Sequence, residues 1–145
     1  MFAHILLPTD GSALSEAAVQ NGIGLAKSLG AKVTAFHVRP EFHLFTMQPE
    51  MLEDTREQFE RDTETRAKQI LGLVEERARK AGVPCDTTSV TSDHPYEVII
   101  RAAQEKNCDL IVMASHGRRG VQAFLLGSET LKVLTHSRIP VLVTR

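Results

Sequence analysis

The stretch Leu110-Ile111-Val112-Met113-Ala114-Ser115-His116-Gly117, followed after a nine-residue spacer by Gly127-Ser128, decides how this chain is read. Leu110 to Met113 is a short, unbroken apolar run, the pattern of a strand buried on both faces of a parallel sheet. Glu129 to His136 is amphipathic and reads as a helix. Small residues after a strand and just before a helix let backbone N–H groups converge on an anion. The helix start adds unpaired donors and the positive end of the dipole. Such a loop is a phosphate cradle, or else an ordinary glycine turn in which Ser128 is the N-cap.

Working outward, strand-like and helix-like segments alternate along the whole chain. Phe2 to Leu7 is an apolar run stopped by Pro8 and Gly11. Ser12 caps a helix reaching about Leu29, with Leu14, Ala18, Leu25 and Leu29 along one side, and Gly30 ends it. Ala31 to Val38 is β-branched enough for a second strand, and Arg39 to Pro49 is an irregular connection. From about Glu50 to Ala81 runs a long charged helix closed by Gly82, with an apolar stripe at Ala67, Ile70, Leu71, Val74, Ala78 and Ala81. Its first half is polar, with Leu52 and Phe59 as anchors. Val83 to Thr91 is a third strand, polar enough for a sheet edge. Asp93 and Pro95 start a helix with Val98, Ile99 and Ala102 inward; Cys108 to Met113 and Ile139 to Val143 are the last strands. This order predicts one α/β domain, an open five-stranded parallel sheet with helices on both faces. Ligands of such folds sit beyond the carboxyl ends of the strands, so the Pro8-to-Ser12 turn and the 114–128 loop are expected to wall one crevice.

Composition narrows the function classes. At 145 residues and 42% apolar, the chain has the size of one domain that folds unaided. A formal charge of −1 gives no reason to expect nucleic acid or an anionic membrane as partner. The first residues lack a basic segment, and no run approaches the roughly 18 apolar residues of a membrane span, so a soluble cytoplasmic protein is expected. Cys85 and Cys108 fit no CxxC or Cys/His pattern and are expected as buried free thiols. His4, His37, His43, His94 and His136 share no metal-site spacing with acidic residues, and Gly22-Ile23-Gly24 is a spurious G-x-G inside a helix. P-loop, nucleophile-elbow and HExxH motifs are absent, and no acidic pair is set to hold two metals.

Together these motifs resemble the universal stress proteins, over essentially the whole chain. Nucleotide-binding members carry G-x2-G-x9-G-[ST] between the fourth strand and the last helix, and Ala114, Gly117, Gly127 and Ser128 stand at those positions. Asp10 matches the family's early Asp, and Ile139-Pro140-Val141-Leu142-Val143 its last strand. Ala114 replaces a glycine; alanine serves if the position needs only a small side chain, with Gly117 supplying the unusual dihedral.

The resemblance implies a Rossmann-like, adenine nucleotide alpha hydrolase-like fold holding ATP, or AMP or ADP, with Mg²⁺. Asp10 would bond the ribose or hold a Mg²⁺ water, against the plainer role of capping a helix. Pro8 and Thr9 would flank the sugar and base. Val38 and Met113 are either core or base contacts, and Glu129 and Thr130 complete the phosphate end with Gly127 and Ser128. Arg118 is a charge partner for phosphate, although Arg118 and Arg119 as exposed loop arginines are the simpler reading; His116 bonds phosphate or packs on the loop. A regulatory ATP-binding protein with slow hydrolysis follows. The alternative is a nucleotide-free interaction module that docks unknown protein partners through the 39–49 segment; a receiver-like domain is more distant. In either case a homodimer paired through Ile139 to Val143 is expected.

Overall fold

In the computed structural model, residues 1–43, 49–117 and 126–145 are described, with 49–54 described by their backbone. Five strands, β1 (His4–Pro8), β2 (Lys32–Arg39), β3 (Cys85–Thr91), β4 (Leu110–Ala114) and β5 (Val141–Thr144), alternate with α1 (Ala13–Leu29), α2 (Pro49–Ala81), α3 (Pro95–Glu105) and α4 (Ser128–His136). All pairs are parallel, in the order β3-β2-β1-β4-β5. The polar third strand lies at an edge, as expected, and the fifth at the other.

Alternation along the inner strands splits the core into two layers. Ile5 and Leu7 of β1, Val33 and Ala35 of β2 and Leu110 and Val112 of β4 face α1 and α2, where Val19, Ile23, Leu71, Val74 and Ala78 complete the cluster. Leu6, Phe36, Ile111 and Met113 point the other way and meet Ile99, Ala102, Ala103 and Val133 of α3 and α4. Burial on both faces is why these strands read as continuous apolar runs rather than alternating ones.

Some local expectations need correction. The buried face of α1 is Ser15, Ala18, Val19, Gly22, Ile23 and Ala26, whereas Leu14 and Leu25 are half-buried and Leu29 is exposed. The larger side chains flank the contact because the helix approaches β1 closely: a Cβ on Gly22 would lie 2.3 Å from Leu7 Cδ2. Glycine there serves helix–strand packing. Other expectations for α1 and α2 hold: Ser12 caps α1, Gly30 and Gly82 close α1 and α2 at φ 66° and 73°, and the stripe from Ala67 to Ala78 is buried, with Ala81 half-buried at its end. In the polar half of α2, the Phe59 ring packs at a 50° tilt on Phe42 of the preceding connection, with centroids 5.3 Å apart; the Leu52 side chain lies outside the described residues. Cys108 is buried but Cys85, at the sheet edge, is only half-buried. Among the described residues no helix is long and apolar enough to cross a membrane.

Candidate functional site

Sequence order turns back between β1 and β4, and at the carboxyl ends of those strands lies a cavity of about 520 Å³. Twelve of the thirteen expected site residues line it: Pro8, Thr9 and Asp10 after β1, Val38 in β2, Met113, Ala114, His116 and Gly117 at the end of β4, and Gly127 to Thr130 at the start of α4. The thirteenth, Arg118, lies outside the described residues, as does Arg119. A smaller cavity of about 260 Å³ opens on the α1/α2 side of the sheet and shares only Thr9 with the first.

The β1–α1 turn is held by hydrogen bonds that leave little play. Thr9 N–H donates to the Phe36 carbonyl at 2.9 Å, and His37 Nδ1 donates to the Thr9 carbonyl at 2.8 Å. Thr9 Oγ1 and Ser15 Oγ bond at 2.9 Å, and Gly11 N–H donates to Thr9 Oγ1 at 3.2 Å. Gly11 turns the chain at φ 80°. Asp10 Oδ1 accepts Ser12 N–H at 2.9 Å in an Asx turn, while Ser12 Oγ, not Asp10, accepts Ser15 N–H as the cap of α1. A Cβ on Gly117 would lie 2.4 Å from Asp10 Oδ2. The two loops therefore meet at that point, as two walls of one crevice.

This contact changes the reason for Gly117. Among the described residues, positive φ is confined to Gly11, Gly30, Gly82 and Asn107, so Gly117 supplies space rather than an unusual dihedral. Ala114 completes β4 in ordinary strand conformation, where its methyl group carries no backbone penalty.

The end of the loop is tied to β4 at two points. Gly127 N–H donates to the Ser115 carbonyl at 2.7 Å, and buried Thr130 Oγ1 donates to the Ala114 carbonyl at 2.9 Å. A Cβ on Gly127 would lie 2.9 Å from His116 Cβ, so only glycine permits this closure. His116 Nδ1 bonds Ser115 Oγ at 3.2 Å. Gly127 is the N-cap of α4 and Ser128 its first residue, which corrects the N-cap reading of Ser128. Two amides of the bend are thus engaged, Gly127 N–H and, toward the Thr144 carbonyl at 2.8 Å, Ser115 N–H, but those of Ser128, Glu129 and Thr130 have no acceptor among the described residues, as a helix start requires.

Glu129 departs from expectation in its side chain. Its Oε2 accepts Tyr96 N–H at 2.9 Å, serving α3, whose N-cap His94 makes no side-chain bond. Asp93, expected to start α3, instead accepts the Glu41 N–H at 3.2 Å and bonds His43 Nε2. Burial opposes the charged form of Asp93, but those bonds outweigh it and hold its pKa below the ordinary carboxylate value. Glu41, His43 and Asp93 thereby form an exposed cluster with ligand-type atoms within 4.8 Å of one another. The spacing along the chain gave no hint of it, since Asp93 and the other two come from different connections.

Pro40, Ser92, Asp93 and Pro95 also line the cavity and were missed by sequence reasoning. The available signal was that Ser92-Asp93 leaves a strand and precedes a helix, as Thr9-Asp10 does. Among the described residues, the charged side chains of the lining are all acidic: Asp10, Asp93 and Glu129.

Comparison with known proteins bears on the family and the fold. The model of the universal stress protein family matches residues 1–145. The chain is 31% identical to universal stress protein MJ0531 of Methanocaldococcus jannaschii, covering all of this chain and 83% of that one. It is 32% identical to universal stress protein YxiE of Bacillus subtilis, with both chains covered completely. The solved structure of the hypothetical protein MJ0577 aligns at a TM-score of 0.84 with 27% identity, over 99% of this chain and 96% of that one. Two more distant structures carry the likeness in fold: a universal stress protein in complex with cAMP, at TM-score 0.73, 23% identity and coverage of 99% and 97%, and an Arabidopsis thaliana member with AMP bound, at 0.69, 18%, 97% and 90%. With the family model spanning every residue and both relatives aligned over the whole of this chain, the chain belongs to the universal stress protein family.

Proposed function

We propose that the chain binds an adenine nucleotide, ATP or else ADP or AMP, in the 520 Å³ cavity, and that occupancy rather than turnover is its output. The observation that carries this reading is the start of α4, where three amides without acceptors among the described residues face a cavity lined by twelve of the expected residues. The volume suits a nucleotide-sized ligand. Apolar Val38, Met113 and Ile99 provide a surface for a base, and Ser128 and its neighbours a grip on phosphate. The cAMP and AMP complexes of two fold neighbours support the same assignment.

Asp10 and the Ser128 hydroxyl are hard oxygen donors, and that chemistry fits Mg²⁺, with Asp10 acting through water. A bound Mg²⁺ would offset phosphate charge beside the acidic lining. Hydrolysis is slow in this proposal: among the described lining residues His116 is engaged with Ser115, and Glu129 with the Tyr96 amide. The protein is further proposed to be cytoplasmic and to pair with a second copy through Ile139 to Val143.

Calorimetry with nucleotide-free protein tests the assignment: saturable heat with ATP is expected, and its absence overturns the reading. Turnover near the ordinary enzyme median of about 10 per second would overturn the regulatory clause. The acidic lining and the engaged Gly127 amide favour a second reading, a nucleotide-free interaction module. Gly127→Val separates the two: loss of ATP binding and of cellular phenotype together supports the first, and a folded variant that keeps its phenotype supports the second.

A further inference from the structure

Glu129 puts a carboxylate between two helix starts. It is the second residue of α4, and its Oε2 takes the Tyr96 amide in the first turn of α3. Each start is an electropositive end that favours anions. An internal acid therefore occupies one of them and sits beside the free amides of the other. Lys132 is its counter-charge, with Nζ 3.6 Å from Oε1 and 5.4 Å from the centre of the Tyr96 ring. Both charged groups are partly exposed, 38% for Glu129 and 49% for Lys132, so the pair leaves the carboxylate's field incompletely cancelled. With Asp10 and Asp93, it makes the described charged lining acidic throughout.

We infer that Glu129 is a specificity determinant of the nucleotide site, where its charge disfavours each additional phosphate and narrows the preference for ATP over AMP. The inference rests on the nucleotide reading above. It differs from a grip on the ligand, because the side chain would act by repulsion while its own amide binds. At a separation of roughly 8 Å and a dielectric close to that of bulk water, one unit charge changes the affinity by about two- to threefold per phosphate charge.

Calorimetric titration of ATP, ADP and AMP in chelator and low salt tests this on the intact protein. Glu129→Gln keeps an acceptor for Tyr96 N–H while removing the charge. Its affinity gain should be greatest for ATP, smaller for ADP and smallest for AMP, and should shrink as salt rises. Lys132→Gln, on the exposed side of the pair, should move the ATP/AMP ratio the other way, and it decides the matter if the first variant does not fold. Equal factors for all three nucleotides in both variants mark a merely structural role and overturn the inference alone. Wild-type protein that binds none of the three overturns the nucleotide reading and this inference with it.

Discussion

Two glycines show how a single missing Cβ can carry either function or packing. At Gly117 an added Cβ would lie 2.4 Å from Asp10 Oδ2, the end of a half-buried carboxylate in the cavity wall. Gly117→Ala is therefore expected to displace the Asp10 carboxylate, weaken ATP binding at least about tenfold, and change folding stability by less than about 1 kcal/mol. Calorimetry and thermal melting read the two effects separately. At Gly22 the conflict is with Leu7 Cδ2 at 2.3 Å, and Leu7 is fully buried in the first core layer. Either group would have to move within a close-packed layer. Gly22→Ala should cost about 1–3 kcal/mol in denaturant unfolding, with Gly22→Ala combined with Leu7→Val recovering part of it. A Gly22→Ala protein as stable as the parent would show that α1 does not sit against β1 as described. Cys108 supplies a further contrast: burial pushes its thiol up to about 11, so it is a packing residue, not a reactive one.

Individual elements are joined at their ends by a few polar contacts. Asp109, just before β4, accepts the Ala3 amide at 2.8 Å and the His4 amide at 3.0 Å, and so sets where β1 begins against β4. Burial opposes its charge, but these amides outweigh it and its pKa falls below the ordinary carboxylate value. A carboxyl group whose folded pKa is depressed stabilises fully above its unfolded pKa, and that contribution is lost as pH falls through the folded one. The wild-type urea midpoint should thus fall more steeply between about pH 5 and about pH 2 than that of Asp109→Asn. At neutral pH that variant should be less stable by about 1 kcal/mol, the discounted value of charged hydrogen bonds near the surface. Parallel pH profiles for the two proteins would refute this role. His4 adds to the acid sensitivity in the same direction: burial lowers its pKa, with the Lys32 charge assisting, so protonation below its ordinary value disfavours the folded state.

For the whole molecule, the open edge at β5 is the main unanswered demand of the fold. Leu142 there is 44% exposed, and Leu131 and Leu134 of α4 are 52% and 38% exposed. Val141 instead packs partly against the second core layer, so a charge at Val141 would injure the fold as well as any interface. Leu142→Asp is the cleaner probe. The parent should scatter light as a dimer at micromolar concentration and this variant as a folded monomer. A monomeric parent would remove the proposed pairing. The layered architecture itself was largely legible. Leu110 to Met113 and Ile5 to Leu7 are apolar without a break because both sheet faces are covered, and Gly30 and Gly82 mark helix ends because left-handed φ suits glycine. Of the buried face of α1 only Ala18 was legible, since close approach selects Gly22 over the leucines that a hydrophobic count prefers. The β1 and β4 ends of the cavity were legible from the small residues of their loops, whereas its Ser92, Asp93 and Pro95 wall carried only a weak pattern.

What the amino-acid order determined by itself was the succession of five strands and four helices, the parallel sheet and the two loops that had to meet. Periodicity, glycine and capping residues act over a few neighbouring positions, and their information lies in that order. Only the tertiary structure decided that Gly117 is needed for room beside Asp10, that the Glu129 carboxylate serves α3, and that Glu41, His43 and Asp93 share one corner. Those facts depend on distances between segments far apart in the chain, and packing sets such distances through the combined fit of many side chains, which no local pattern records.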